Sequence, residues 1–345
     1  MYFVRAQVSE RHPEGAARPT IYDVAQRANV SKSLVSLVMR GSQNVSEEKR
    51  IAVLRAASEL GYRPNEHARA LAQGRTRTVG VLISNLRNPF FAEVIEGLQE
   101  ELGASRYRTL LGTGACDARR ELGATETMLE RGVEGIVLLS PEIPAEEMTS
   151  LARKSPTVIV GRDMQEGTLD CVVNDDFSGA EMVVEHLAGL GHERIAHVSG
   201  GSGAGAAARR KGYEQAMQHL SLDSRVVYGE YTDEGGYWGT RQLLAAEPRP
   251  TAIFAANDFA AMGTFVAIDE AGLSVPEDVS VVGYDNTYLA ELALVSLTSV
   301  DQPRRDMGAL AVRLLLERIE SGRTEPRREV LKPRLIRRST SAPPR

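Results

Sequence analysis

The sequence predicts an α/β protein carrying an all-α headpiece, and three observations support that. From Thr78 onward, short β-rich runs alternate with helix-like stretches: VGVLIS, TLLGTG, GIVLLS, TVIVG, CVVND, RIAHVSG, TAIFAAN and VSVVGYD. Repeated βα units predict doubly wound parallel sheets with helices on both faces and ligands at the carboxyl ends of the strands. Before them, Thr20 to Gly61 reads as three short capped helices. Charge divides at the same place: Thr20 to Arg77 carries ten Lys/Arg against five Asp/Glu, whereas Thr78 to the end carries 28 against 39. A basic head on an acidic body restricts polyanion binding to the head, because the body would repel a phosphate backbone.

In the head, Thr20 caps a helix whose apolar residues Ile21, Val24, Ala25 and Ala28 recur at helical spacing, with Asp23 in the first turn. Asn29-Val30 breaks the pattern. Ser31 then caps a second helix, Ser31 to Met39, with Val35 and Val38 inward and Lys32, Ser33, Ser36 and Leu37 projecting elsewhere. Two short helices joined by a tight turn form the motif that places its second helix in the major groove. A third helix is capped by Ser46, carries a stripe of Val53, Leu54, Ala57 and Leu60, and stops at Gly61. Beyond it, residues 65–72 offer an N-cap and good helix formers, but the segment is too short to be stable alone.

Composition removes several classes. With 42% hydrophobic and 25% charged residues the chain is neither disordered nor fibrous. It lacks the ~18 consecutive apolar residues of a membrane span, and residues 1–19 lack the apolar block of a signal peptide and read as a disordered leader, so a cytoplasmic location is expected, with no membrane partner. Cys116 and Cys171 are far apart with no partner spacing, and are expected to be two buried free thiols rather than a disulfide or a metal site. No P-loop or Gly-x-Ser-x-Gly occurs, and none of the six histidines sits in a catalytic motif, which argues against an enzyme; no cofactor is expected. The Gly200 to Gly205 loop resembles a dinucleotide fingerprint only superficially, since no acidic residue closes the following strand; a flexible loop at a cleft mouth is expected instead.

The string TIYDVAQRANVSKSLVSLVMRGSQNVSEEKRIAVLRAASELGYRPNEHARAL, followed by NPFFAEV, VSVVGYDN and LTSVDQP, closely resembles the LacI family of repressors, and the resemblance runs essentially from Thr20 to the end. It implies a helix-turn-helix headpiece (20–64), a hinge helix and linker (65–77), and a two-lobed, periplasmic-binding-protein-like core. The chain would cross between the lobes three times, with residues 78–175 and 303–322 in the first and 176–302 and 323–340 in the second. Base reading falls by resemblance to Lys32, Ser33, Leu34 and Leu37. This chain departs from the usual pattern, carrying Leu34 for Thr, Leu37 for Arg and Arg40 for Asn. Arginine would read guanine bidentately, whereas leucine packs against a thymine methyl or excludes a polar base edge. Phosphate contacts fall to Tyr22, Ser31, Ser36, Arg40 and Asn44; Ser36 fits packing under the turn equally well. In the hinge, Asn65, Ala68 and Leu71 would enter the minor groove, Leu71 as the wedge.

For the core, the resemblance implies an effector cleft lined by Ser84, Asn88, Phe90 and Phe91 from the first lobe and Arg209, Tyr231, Asn257 and Asp285 from the second. Phe90 and Phe91 also suit core packing. A guanidinium fork and a carboxylate can hold adjacent hydroxyls while an aromatic covers a sugar ring. The expectation is a DNA-binding transcriptional regulator, a repressor by family default, rather than an exported binding protein, which would have no use for the basic head.

 The regulator is expected to bind a palindromic operator as a homodimer, under control of a small-molecule effector, with a sugar or polyol as the family default. The helix after Asn88 and that near Arg304 to Ile319 are expected to supply much of the subunit interface.

Overall fold

The computed structural model describes residues 19–39, 41–62, 75–164 and 169–345. They fall into two units, divided between Thr76 and Arg77.

The first unit holds three helices, α1 (Ile21–Arg27), α2 (Lys32–Met39) and α3 (Glu47–Glu59). The Asp23 carboxylate accepts hydrogen bonds from the Thr20 backbone N–H at 2.7 Å and from its hydroxyl at 2.8 Å, which closes the first turn of α1. Asn29 takes φ +54° in the turn to α2, and Ser31 Oγ accepts from the Leu34 N–H at 3.2 Å as that helix begins. Val24, Ala25, Val35, Val38, Val45, Val53, Ala56 and Ala57 form the core. The stripe expected on α3 needs one correction: Leu54 is 49% exposed and Ala56 is buried in its stead. At 100° per residue, positions 53, 56, 57 and 60 share a face and position 54 does not. Ser46 occupies the N-cap with extended backbone, but its side chain makes no capping hydrogen bond. Gly61, at φ +63°, ends the helix as expected.

The second unit is built on two six-stranded sheets. The first contains β1 (Thr78–Ile83), β2 (Arg108–Thr113), β3 (Gly135–Leu139), β4 (Thr157–Val160) and β5 (Asp170–Asn174). The second contains β6 (Ile195–Val198), β7 (Arg225–Val227), β8 (Ala252–Ala255), β9 (Ser280–Asp285) and β10 (Thr298–Asp301). Strands β11 (Arg328–Leu331) and β12 (Arg334–Ile336) complete one sheet each, giving the orders β11-β5-β4-β3-β1-β2 and β12-β10-β9-β8-β6-β7. Every pairing is parallel except that of β12 with β10. All eight runs read from the sequence form strands. Helices α4 (Pro89–Ser105), α5 (Ala118–Glu130) and α6 (Ala145–Lys154) belong to the first lobe, and α7 (Asp176–Gly189), α8 (Ala206–His219), α9 (Asp233–Leu244), α10 (Asp258–Glu270) and α11 (Tyr288–Glu291) to the second. Helix α12 (Arg304–Ser321) returns to the first lobe and packs on α4.

The chain passes between the sheets after β5, after β10 and after β11. The last passage falls later than the expected division at residue 323, because β11 pairs with β5 in the first sheet. Asp170, with no exposed surface, accounts for this turn. Its carboxylate accepts from Arg318 Nε at 2.5 Å, Arg323 Nη2 at 2.7 Å and the Arg327 N–H at 2.7 Å, which draws the segment after α12 back beside β5. Burial pushes its acidity the other way, but those hydrogen bonds hold the carboxyl below the usual range.

Helices α4 and α12 meet through reciprocal glycines. A Cβ on Gly97 would overlap the Arg305 carbonyl, and one on Gly308 would overlap that of Val94. Both helices were expected to face a second subunit. Their inward faces are occupied by each other, and the exposed flank carries the ion pairs Arg305 to Glu96 and Glu100, and Arg313 to Glu101.

Candidate functional site

The carboxyl ends of the two sheets border a cleft of about 250 Å³. Ser84, Asn88, Phe90, Phe91, Arg209, Tyr231, Asn257 and Asp285 all line it, so the structure brings together every residue expected there.

Local structure holds each in place. Buried Ser84 follows β1, and its hydroxyl lies 2.7 Å from Glu121 Oε1 and 2.6 Å from the Ser140 carbonyl oxygen. Asn88 caps α4 by accepting from the Phe90 N–H at 3.0 Å, and Asn257 caps α10 by accepting from the Ala260 N–H at 2.8 Å. Asn257 Nδ2 is buried and has no hydrogen-bond partner among the described residues. Phe90 and Phe91 serve both uses weighed for them. They meet edge to face at 5.3 Å within the first-lobe core, and they form part of the cleft wall.

Arg209 is the charged centre. Its Nε donates to Asp176 Oδ1 at 2.9 Å, its Nη1 to the Ala256 carbonyl at 2.8 Å, and its Nη2 lies 3.8 Å from Asp285 Oδ1. The guanidinium stacks on Tyr284, 3.7 Å from the ring centroid, with Tyr231 at 5.2 Å. Burial disfavours the cation, but the two carboxylates outweigh it and keep Arg209 charged. Asp285 sits at φ +102°, a backbone that L-residues rarely adopt, and this turns its carboxylate toward Arg209 and toward Gln302 Nε2, which donates at 2.6 Å. Burial pushes Asp285 and its neighbour Asp258 upward in pKa, and their mutual repulsion adds to the shift at Asp258. Asp258 in turn accepts from the Thr287 N–H at 2.6 Å and the Ser299 hydroxyl at 2.5 Å, fixing the turn that carries Asp285.

Several lining residues escaped the sequence reading. Asp175, the last residue of the run CVVND, caps α7, accepting from the Ser178 N–H at 3.1 Å and from its hydroxyl at 2.8 Å. Its neighbour Asp176 holds Arg209. An acidic doublet at a strand end was the available signal. Gln302, between β10 and α12, and Glu142, after β3, also line the cleft. Cys116 corrects the expectation of two buried thiols: it is exposed at the cleft, while Cys171 is buried. Ala115 and Cys116 adopt φ +52° and +58°, a turn that carries the thiol out of the strand line. The glycine loop also lines the cleft, and its glycines admit an aromatic ring rather than a phosphate. A Cβ at Gly200 or at Gly203 would come within 2.5 Å of the Tyr231 ring, whose hydroxyl donates to the Ala204 carbonyl at 2.9 Å.

In the helical unit, Ser31, Lys32 and Ser33 are exposed, as is Asn44. Lys32 Nζ donates to the Tyr22 hydroxyl at 3.0 Å and lies 4.6 Å from its ring centroid; that hydrogen bond holds the phenol below its usual range. Leu37, expected to project outward, is half-buried against the headpiece core, as is Leu34, and Ser36 is half-buried as well. The long apolar side chains gain more from that contact than from water. Arg40, Asn65, Ala68 and Leu71 lie outside the described residues. Among the described residues, no group of three or more His, Cys, Asp or Glu side chains is placed to hold a metal ion, and no helix is long and apolar enough to cross a membrane.

A family model for bacterial regulatory proteins of the lacI family matches residues 20–65, and one for a periplasmic binding protein-like domain matches residues 184–341. The HTH-type transcriptional repressor PurR of Escherichia fergusonii is 35% identical over 333 residues, 94% of this chain and 97% of that protein. The chain belongs to the LacI family. Two solved structures extend the likeness over the same 94% of this chain and all of theirs. A transcriptional regulator CelR–cellobiose complex has 34% identity and a TM-score of 0.72, and the lac repressor dimer bound to operator and the anti-inducer ONPF has 26% identity and a TM-score of 0.85. LacI-family membership makes the protein a DNA-binding transcriptional regulator rather than an enzyme, with the helix-turn-helix unit and the two-lobed core as its parts.

Proposed function

We propose that this LacI-family protein is a cytoplasmic repressor that binds a palindromic operator as a homodimer, under the control of a sugar or polyol held in the cleft. The observation that carries the effector class is Arg209. A buried guanidinium between two carboxylates, with aromatic side chains along the same wall, suits adjacent hydroxyls on a ring with one apolar face. Gln302 donates to Asp285 from the segment that joins the lobes, so a ligand that engages Asp285 also acts on that segment.

On DNA, Lys32, Ser33 and the accessible edges of Leu34 and Leu37 would read bases. Tyr22, Ser31, Ser36, Arg40 and Asn44 would hold phosphates, and Asn65, Ala68 and Leu71 would enter the minor groove. Binding-site selection from random DNA, followed by anisotropy titration of the selected duplex with and without saccharides, tests the whole reading. Selection should return a two-fold symmetric site bound by the full chain and not by a variant lacking residues 1–77, which should still dimerise. Enrichment of an asymmetric site, or operator binding by the truncated variant, would overturn it.

A further inference from the structure

We propose that Glu142 sets the charge selectivity of the cleft, accepting hydrogen bonds from an uncharged or amine-bearing saccharide and turning away phosphorylated and carboxylated ones. The inference rests on the saccharide reading above and narrows it.

Four carboxylates line the cleft, those of Glu142, Asp176, Glu230 and Asp285, against the single guanidinium of Arg209. That cation is committed before any ligand arrives, through Asp176, the Ala256 carbonyl, Asp285 and the Tyr284 ring. An anionic ligand would therefore have to displace a buried ion pair. Glu142 is differently placed. Its backbone N–H donates to Glu121 Oε2 at 2.7 Å, but its carboxylate, half-buried in the wall, has no hydrogen bond or ion pair among the described residues. Burial and then the charge of Glu121 raise its pKa against a smaller opposing influence from Arg162, whose guanidinium donates to the Pro141 and Ile143 carbonyls at 2.9 and 2.8 Å rather than to Glu142. A ligand O–H or N–H would supply one, whereas a phosphate or carboxylate would add a further negative charge beside Glu142 and Glu121.

Asn257 supplies the complementary half. It is 1% exposed, its oxygen is used in capping α10, and its Nδ2 has no partner. Among the described residues, the cleft wall thus presents a half-buried acceptor with no hydrogen bond or ion pair, on Glu142, beside the exposed carboxylate of Glu230, and a buried donor with no partner, on Asn257. A hydroxyl group answers both, since it donates and accepts; an anionic oxygen answers only the second.

The test is calorimetric titration of the full-length protein with matched probes: glucose and cellobiose beside glucosamine, glucuronate, cellobionate and glucose 6-phosphate. Two like charges about 5 Å apart at an effective dielectric constant of about 20 differ from a neutral contact by on the order of a hundredfold in affinity. Neutral and amino forms should bind, and acidic forms should bind about a hundredfold more weakly than their parents. Glu142→Gln, nearly isosteric, should narrow that gap at least tenfold, and Glu142→Ala serves the same comparison should the glutamine variant not fold. An acidic form binding within threefold of its neutral parent, or a gap unchanged by either substitution, overturns the role of Glu142 while leaving the saccharide reading intact. Binding by no probe to the folded wild type overturns the saccharide reading and this inference with it.

Discussion

Replacing Asp285 by asparagine removes a charge from the cleft without removing its shape, and the surroundings of that residue dictate two separable results. The side chains of Asp176, Arg209 and Asp285 are 8%, 6% and 4% exposed, so their charges interact with little screening. Burial has already raised the Asp285 pKa, which means that the folded state bears a cost for its ionised form. An asparagine oxygen can still accept from Gln302, and Asp176 still balances Arg209 at 2.9 Å. Asp285→Asn should therefore change unfolding free energy by no more than about 1 kcal/mol. It should nevertheless lose a charge-assisted hydrogen bond to effector worth about 1.5–3 kcal/mol, or roughly ten- to a hundredfold in affinity. Arg209→Met provides the contrast. It leaves two buried carboxylates without their cation, and breaking a buried pair in this way costs about 3–5 kcal/mol. Urea denaturation followed by fluorescence, alongside effector titration of operator complexes, separates the two. The reasoning is refuted if Arg209→Met is as stable as wild type, or if Asp285→Asn responds to effector at the wild-type concentration.

Two further predictions concern other parts of the molecule. His197 is fully buried, donates from Nδ1 to the Phe254 carbonyl at 3.0 Å and leaves Nε2 without a partner; burial, the largest influence, lowers its pKa from 6.5 to about 4. The unfolded chain takes up its proton first as pH falls, so this contribution to stability is present above pH 6.5 and is lost progressively toward pH 4, by about 3 kcal/mol in all. His197→Phe should flatten the denaturation profile over that window, and an unaltered slope would contradict the assignment. Leu37→Arg should shift half-site preference toward guanine by about 1–3 kcal/mol per base pair, with a stability loss of about 1–2 kcal/mol for the apolar contact given up. Selection that returned the wild-type half-site would place base reading elsewhere.

The parts legible in advance were those whose cause is local. Thr20 and Asp23, three positions apart, close a helix turn whatever lies beyond them. Seven of the eight apolar runs became buried strands, because parallel strands covered on both faces need continuous apolar side chains, while the eighth, β2, lies at a sheet edge with no buried residue. The cleft residues were reached by resemblance rather than by geometry, and their partners were not reached at all. Asp176 and Arg209 lie 33 positions apart, and nothing in the doublet Asp175-Asp176 says which carboxylate caps a helix and which holds the cation.

Sequence alone determined that this protein would have a basic three-helix head and an α/β body, because periodicity, capping and net charge are summed over neighbouring residues and survive any arrangement of the whole. Tertiary structure alone decided that β11 joins the first sheet, that Leu37 leans on the headpiece core, that Cys116 stands open at the cleft and that the Glu142 carboxylate lines it with no hydrogen bond or ion pair among the described residues. Each of those outcomes depends on a side-chain direction or a strand pairing set by distant residues: Asp170 gathering three arginines, or Asp258 holding the turn that aims Asp285. Such contacts form only when the chain closes on itself, so no window of sequence contains them.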